Sequence, residues 1–211
     1  MGETDGKRAR DQILDAAEQL FAHKGLGPTT IKQIGAAARQ NPALLYYYFG
    51  SKEKLYRAVL QRVLSGMLER GGAAFDAAPA PPAAIQALVA AQMDFVLSHP
   101  NAPRLLVREM IDHEARRAEA MLLELAAGLF ERLCQVIEQG QREGYFRSDL
   151  EPRFAAISTI AQVVYFTIAR PAIGLFFGEG TRGVPLATAR RFGRHAGDFA
   201  VHALSNPEQR A

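Results

Sequence analysis

Apolar residues recur three and four positions apart along almost the whole chain, and the strict apolar–polar alternation of a half-buried strand is nearly absent. This periodicity predicts an all-α protein. Ile13, Leu14, Ala17, Leu20 and Phe21 form the first stripe, which ends at Gly25. The segment "GPTT" then breaks the chain, and Thr29 or Thr30 can N-cap a short second helix carrying Ile31, Ile34 and Ala38. Asn41 is a good N-cap and Pro42 a good first residue for a third helix, 42–48, which Gly50 stops. Ser51 caps a fourth helix with Leu55, Val59, Val63 and Met67 along its apolar stripe.

The clearest shift in composition is "GGAAFDAAPAPP" (71–82), which reads as a helix end and loop. It divides the chain into two parts, 8–68 and 69–211. Beyond it the pattern predicts helices at 83–98, 103–114, 116–142, 152–177 and 184–204, with no internal repeat. The stretch 154–177 is long enough to span a bilayer, and Arg170 is its only formal charge. Ser158, Thr159, Gln162, Thr167 and Pro171 dilute it, and no aromatic-plus-basic anchors bracket it, so it reads as a buried bundle helix or subunit interface rather than a membrane segment. Pro171 cannot donate the helical hydrogen bond and is expected to kink or break it.

With 211 residues, 48% of them apolar, the chain can bury a sizeable core. Its single cysteine, Cys134, precludes an intramolecular disulfide and fits a reducing cytoplasm. The first residues, "MGETDGKRAR", lack the apolar region of a secretory signal. His23, His99, His113, His195 and His202 are scattered without metal-ligand spacing, so neither a metal nor a cofactor is expected. The net charge of +3 conceals an asymmetry: residues 1–67 hold ten Lys/Arg against six Asp/Glu. Between Glu18 and Glu53 there is no acid, while Lys24, Lys32, Arg39 and Lys52 are present. Such a stretch is the footprint of a phosphate-binding surface, although a merely solvated basic face has the same signature.

Two short helices joined by about three residues form a helix-turn-helix, whose second helix can enter a DNA major groove. That reading explains an otherwise awkward run, "LYYYF" (45–49). Leu45 and Phe49, four apart, can turn inward while Tyr46, Tyr47 and Tyr48 fan outward. A tyrosine on that rim can offer its hydroxyl to a phosphate oxygen. Lys52, in the first turn of the next helix, could meet the same phosphate. Ala43, Leu44 and Tyr47 lie where base edges would be read, and Gln40 or Asn41 could add a hydrogen bond at the helix start.

Three segments, "ILDAAEQLFAHKG" (13–25), "TTIKQIGAAA" (29–38) and "LYYYFGSKEKLYRAVL" (45–60), make residues 10–60 resemble the DNA-binding domain of the tetracycline-repressor (TetR) family. The resemblance implies a three-helix DNA-binding domain at 8–68, followed by a helical effector-binding and dimerisation domain at 69–211. It implies phosphate contacts from the positions matching Thr30, Tyr46, Tyr48 and Lys52, with Tyr47 touching DNA. Two positions depart from the family pattern. Arg39 stands where glycine is usual in the turn, and Gln40 where an apolar residue is usual.

The function implied is a homodimeric, cytoplasmic repressor that binds a palindromic double-stranded DNA operator and is released by a small-molecule effector. A monomer offers one short reading helix, whereas a twofold dimer offers two, about 34 Å apart. The last two helices, 152–177 and 184–204, are candidates for the dimer interface, with Ala189, Phe192, Gly193, Ala196, Gly197 and Ala200 on the final one, because small residues permit close helix approach. An apolar effector could be lined by Met93, Leu106, Met110, Leu129, Phe130, Val163 and Phe166, and oriented by Gln92, Arg104, Arg108, His113 or Tyr165. The alternative is an all-α ligand-binding module or enzyme without DNA binding. The sequence contains no catalytic triad spacing and no Gly-rich phosphate loop, and Cys134 sits among Leu133, Val136 and Ile137 as a packing residue.

Overall fold

The computed structural model of the chain describes residues 2–113, 127–180 and 183–206. Their helices are α1 (Gly2–Lys24), α2 (Ile31–Ala38), α3 (Pro42–Phe49), α4 (Lys52–Asp76), α5 (Pro81–Ser98), α6 (Ala102–His113), α7 (Ala127–Arg142), α8 (Pro152–Phe176) and α9 (Leu186–Leu204). The described residues contain no strand, only an isolated antiparallel bridge between Phe146 and Ser205. The expected helix 116–142 is seen from Ala127 onward, and its first part lies outside the described residues. Two compact units emerge: residues 1–65 with 100–122, and residues 66–99 with 123–211.

The first unit packs α1, α2, α3, the first half of α4 and α6 around Ile13, Ala17, Phe21, Ile34, Leu45, Leu55, Leu60 and Leu105, all buried. The rings of Phe21 and Tyr56 meet edge to face at 5.1 Å, an arrangement that suits their quadrupoles. Leu45 and Phe49 are the two buried residues of α3, as their four-residue spacing predicts.

In the second unit α9 lies along α5, and two clusters form the core. One gathers Phe75, Ile85, Leu88, Leu133, Ile137 and Phe146. The other gathers Val89, Met93, Val163, Phe166, Val184 and Ala196. The segment 71–82 corrects the sequence reading, because α4 continues through both glycines to Asp76. Gly71 is there for close approach: a Cβ on it would lie 2.8 Å from a methyl of Leu129 and 3.3 Å from one of Leu88.

The small face of α9 requires a second correction. Ala189, Gly193, Ala196, Gly197 and Ala200 are buried within the chain against α5, not left free for another subunit. A Cβ on Gly193 would stand 2.8 Å from Cγ of Met93, and one on Gly197 would stand 3.3 Å from Cα of Gln86. Phe192 stacks on Phe166 at 4.1 Å. The side chains of Gln86 and Asp198 bond across the same seam at 2.8 Å.

Pro171 does not end α8, which runs through it to Phe176. The segment that follows folds back onto the helix. Arg170 donates to the Val184 carbonyl at 2.7 Å, and Gly174 lies so near the chain that a Cβ would be 2.5 Å from the Gly180 carbonyl oxygen. Nor is α8 a buried helix. Phe154, Ile157, Val164, Tyr165, Ile168 and Leu175 are all exposed on it.

Phe146, fully buried, rests on Gly140 so closely that a Cβ there would lie 2.1 Å from its ring. Gly140→Ala should therefore lower stability by about 1–3 kcal/mol through overpacking, despite alanine's better helix propensity. Urea denaturation measures this, and an unchanged midpoint would show that the ring is not seated there.

Candidate nucleic-acid interface

The interface is built from the capping chemistry of two short helices. Thr30 opens α2 with a reciprocal capping box: its hydroxyl accepts from the Gln33 N–H at 3.2 Å, and the Gln33 side chain accepts from the Thr30 N–H at 3.1 Å. Thr29 is buried instead, donating to the Gly25 carbonyl at 2.7 Å and so tying the start of α2 to the end of α1. Asn41 caps α3, its Oδ1 accepting from the Ala43 N–H at 2.9 Å, and Pro42 follows as the first helical residue.

Between them the chain makes a Schellman turn. Gln40 N–H donates to the Gly35 carbonyl at 2.9 Å and Arg39 N–H to the Ala36 carbonyl at 3.3 Å. Arg39 takes the left-handed position at φ 55°, ψ 38°, and no other non-glycine among the described residues has positive φ. The arginine therefore bears a conformational cost of about 1–2 kcal/mol that glycine would avoid. The turn is also tight at Gly35, where a Cβ would lie 2.9 Å from the Gln40 carbonyl oxygen. Gln40 is half-buried and is no plug in the core, since its amide donates to the Gln12 side chain at 2.9 Å.

On α3, Tyr46 and Tyr47 are 55% and 81% exposed, while Tyr48 is half-buried. Tyr47 and Tyr48 meet edge to face at 5.2 Å. Thr30, Lys32, Asn41 and Ala43 are exposed, and Leu44 is half-buried beside them. Neither α2 nor α3 carries an acidic residue. Lys52 is held in place from below, its ammonium donating to the carbonyls of Thr29 at 3.0 Å and Gly27 at 3.3 Å. An ammonium has three N–H groups, so one stays available for a phosphate oxygen.

Behind this surface Arg62 on α4 bridges Asp15 and Glu18 of α1 at 2.7 and 2.6 Å. Burial works against its charge, but the hydrogen bonds to the two carboxylates outweigh it and hold the guanidinium above its ordinary pKa. Tyr56 donates to the buried Glu109 carboxylate on α6 at 2.9 Å.

The residues named from sequence as an effector pocket are divided between the two units. Arg108 donates to the Ala22 and His23 carbonyls at the end of α1, a favourable place for a cation, and Arg104 bonds the His23 ring at 3.1 Å. Both arginines fasten α6 to α1. Leu106 is half-buried and Met110 exposed on α6, and the side chain of His113 lies outside the described residues. Met93, Val163 and Phe166 belong to one core cluster, and Leu129 and Phe130 pack on the other. Tyr165 is 70% exposed. Gln92 holds a buried side-chain oxygen that no hydrogen bond satisfies. An open apolar groove of about 540 Å³ does exist, but Phe166 is its only member from the sequence set. Its other walls are Ile173, Phe177, Thr188, Arg191, Phe192 and His195. Cys134 is buried, and burial together with the Glu131 carboxylate pushes its thiol pKa up, which disfavours the nucleophilic thiolate.

Comparison with known proteins agrees with this geometry. Residues 13–59 match the family described as bacterial regulatory proteins, tetR family, and residues 81–198 match the tetracyclin repressor-like C-terminal domain. The HTH-type transcriptional repressor NicS of Pseudomonas putida is 32% identical over 160 residues, covering 75% of each chain. The HTH-type transcriptional repressor KstR2 of Rhodococcus jostii is 29% identical over 72% of this chain and 76% of that protein. Among solved structures, the ketosteroid transcriptional regulator KstR2 of Mycobacterium tuberculosis superposes with a TM-score of 0.74. That match covers 93% of this chain and 95% of that one, at 22% identity.

Replacing Arg39 by glycine should relieve the left-handed strain and raise stability by about 1 kcal/mol, which in a chain of this size raises Tm by about 2–4 °C. Thermal unfolding followed by circular dichroism checks it. A lowered Tm would mean that the turn is not left-handed.

Proposed function

The chain belongs to the tetR family of bacterial regulatory proteins and is a DNA-binding transcriptional repressor, and we propose that it acts in the cytoplasm as a homodimer on a palindromic operator, released by a small apolar effector. The observation that carries the DNA reading is α3 itself: an acid-free helix that exposes Tyr46 and Tyr47, with Lys32 on the preceding helix and Lys52 at the start of the following one. Thr30, Tyr46, Tyr48 and Lys52 hold phosphates, Lys32 adds charge, and Ala43, Leu44 and Tyr47 meet base edges. Gln40 and Asn41 frame the helix start, their side chains already engaged by Gln12 and by the Ala43 N–H. Residues 8–68 serve DNA binding and 69–211 serve effector binding and dimerisation, with α6 fastened to α1 by Arg108. The relatives are regulators, and no catalytic step is assigned to this chain.

The dimer requires a surface other than the small face of α9. Phe154, Ile157, Val164, Tyr165, Ile168 and Leu175 recur at helical spacing along α8, all exposed. An apolar stripe of that length on a protein surface marks an interaction site. A second copy of the chain is the natural cover, because twofold pairing presents two reading helices to successive major grooves. A membrane is the competing cover, since α8 is long and apolar enough to cross one. The expected outcome is that Tyr165→Asp with Ile168→Asp converts the dimer to a soluble monomer by light scattering. Sedimentation of the wild type with lipid vesicles would favour the membrane instead.

An effector acts only through its different affinities for the DNA-bound and released states. The groove between α8 and α9, apolar with Arg191 and His195 at its edge, has a volume that small ligands fill.

Positioning and reading should separate under mutation. Lys52→Ala should weaken operator and random DNA alike and reduce the slope of log K against log salt by about 1. Leu44 or Tyr47 substitutions should alter which sequences bind, by about 1–3 kcal/mol per affected base pair, with nonspecific affinity retained. Binding of each variant to operator and scrambled duplexes across a salt series checks both. The reverse pattern would refute this docking of α3.

A further inference from the structure

The geometry points to a second DNA-contacting surface on the N-terminal half of α1, one that grips phosphates flanking the bases read by α3. It rests on the DNA-binding reading above and extends it to residues outside the helix-turn-helix. From Gly6 onward, Ile13 is the first fully buried residue of α1. Ahead of it α1 runs from Gly2 to Gln12, about 16 Å of helix at the usual rise. Core burial does not explain where this projecting segment lies. Three contacts do, and each is made to α3 or to the turn before it. A Cβ on Gly6 would sit 3.2 Å from the Tyr48 hydroxyl. The Arg10 guanidinium lies over the Phe49 ring at 5.4 Å. Gln12 accepts from the Gln40 amide at 2.9 Å. The segment thus runs beside the reading helix.

Its charge fits the same partner. Lys7, Arg8 and Arg10 are exposed, and among the described residues no ion pair or hydrogen bond neutralises any of them, although Glu3, Asp5 and Asp11 lie close to them in the sequence. Four other cations of this unit are engaged by protein groups. Arg62 is bound by Asp15 and Glu18, Arg104 and Arg108 by the end of α1, and Lys52 by two carbonyls. Asp15 and Glu18 in the middle of α1 are neutralised by Arg62 of α4, while the exposed Lys7, Arg8 and Arg10 lie on the segment that runs next to α3. Unpaired cations flanking a reading helix match the phosphates on either side of a major groove. Such contacts carry no sequence information, so this surface sets affinity and footprint length.

The test compares wild type with a Lys7→Ala/Arg8→Ala/Arg10→Ala variant on a random-sequence duplex and on an operator selected from a random pool. Helicity by circular dichroism serves as the folding check. Loss of three phosphate contacts should reduce the salt slope by about 2.7, so that the wild type's advantage shrinks about 40-fold between 50 and 200 mM salt. The hydroxyl-radical footprint should shorten at its outer edges, with the ranking of operator sequences unchanged. Lys7→Glu/Arg8→Glu, which leaves the Arg10 stack in place, should weaken binding more than neutralising the same two sites. An unchanged salt slope and footprint, with Tyr47→Ala still losing sequence preference, would overturn this surface while leaving the α3 reading intact. A changed ranking of operator sequences would overturn its sequence-independent character. A wild type that binds no duplex would overturn both.

Discussion

The presentation of α3 hangs on one backbone constraint, the tight turn between Ala38 and Asn41. Two conditions make it possible: Arg39 in the left-handed conformation, and no side chain at Gly35, where the Gln40 carbonyl comes within 2.9 Å of a Cβ position. Together they fix the direction in which the chain leaves α2. Every exposed group of α3 depends on that direction, because an eight-residue helix anchored only by Leu45 and Phe49 has little core to correct a wrong entry angle. The turn bears the cost of a non-glycine residue at Arg39 and places an exposed cation beside the reading helix in return.

Behind that turn, polar contacts do the orienting that burial cannot. The end of α1 is held by Thr29 reaching back to the Gly25 carbonyl, by Arg108 reaching from α6 to the carbonyls of Ala22 and His23, and by Arg104 reaching the His23 ring. Carbonyls at a helix C-terminus have no intrahelical partners and attract a cation, so α6 gains a specific docking point. The buried pairing of Tyr56 with Glu109 adds a second point on α4, where an unpaired carboxylate would be costly. Movement of α6 would therefore be felt at both α1 and α4, and α1 is one of the two helices against which α3 packs.

In the second unit, glycine and alanine serve close packing inside one chain. Gly71 accepts Leu129, Gly140 accepts Phe146 and Gly193 accepts Met93. With the small face of α9 used up against α5, the apolar stripe of α8 is left outward-facing. The same residue types thus have opposite fates on adjacent helices, decided by which partner lies within reach.

Much of the candidate site was legible in the sequence because its signals are local. The capping residues Asn41 and Ser51, the Pro42 start, the stop at Gly50 and the inward pair Leu45 and Phe49 are each set by neighbours within one helical turn. The helical class followed from periodicity for the same reason. What the sequence could not decide was which faces meet. The glycines of 71–72 read as a break, yet the tertiary contact with Leu129 keeps α4 helical to Asp76. Arg104 and Arg108 read as pocket residues, yet α6 docks on α1 and turns Arg104 to the His23 ring and Arg108 to the carbonyls of Ala22 and His23. Apolar spacing on α8 and small spacing on α9 specify faces without naming their partners. Local hydrogen bonding and helical period are encoded within a few residues, whereas the pairing of faces depends on shape and charge contributed from distant parts of the chain.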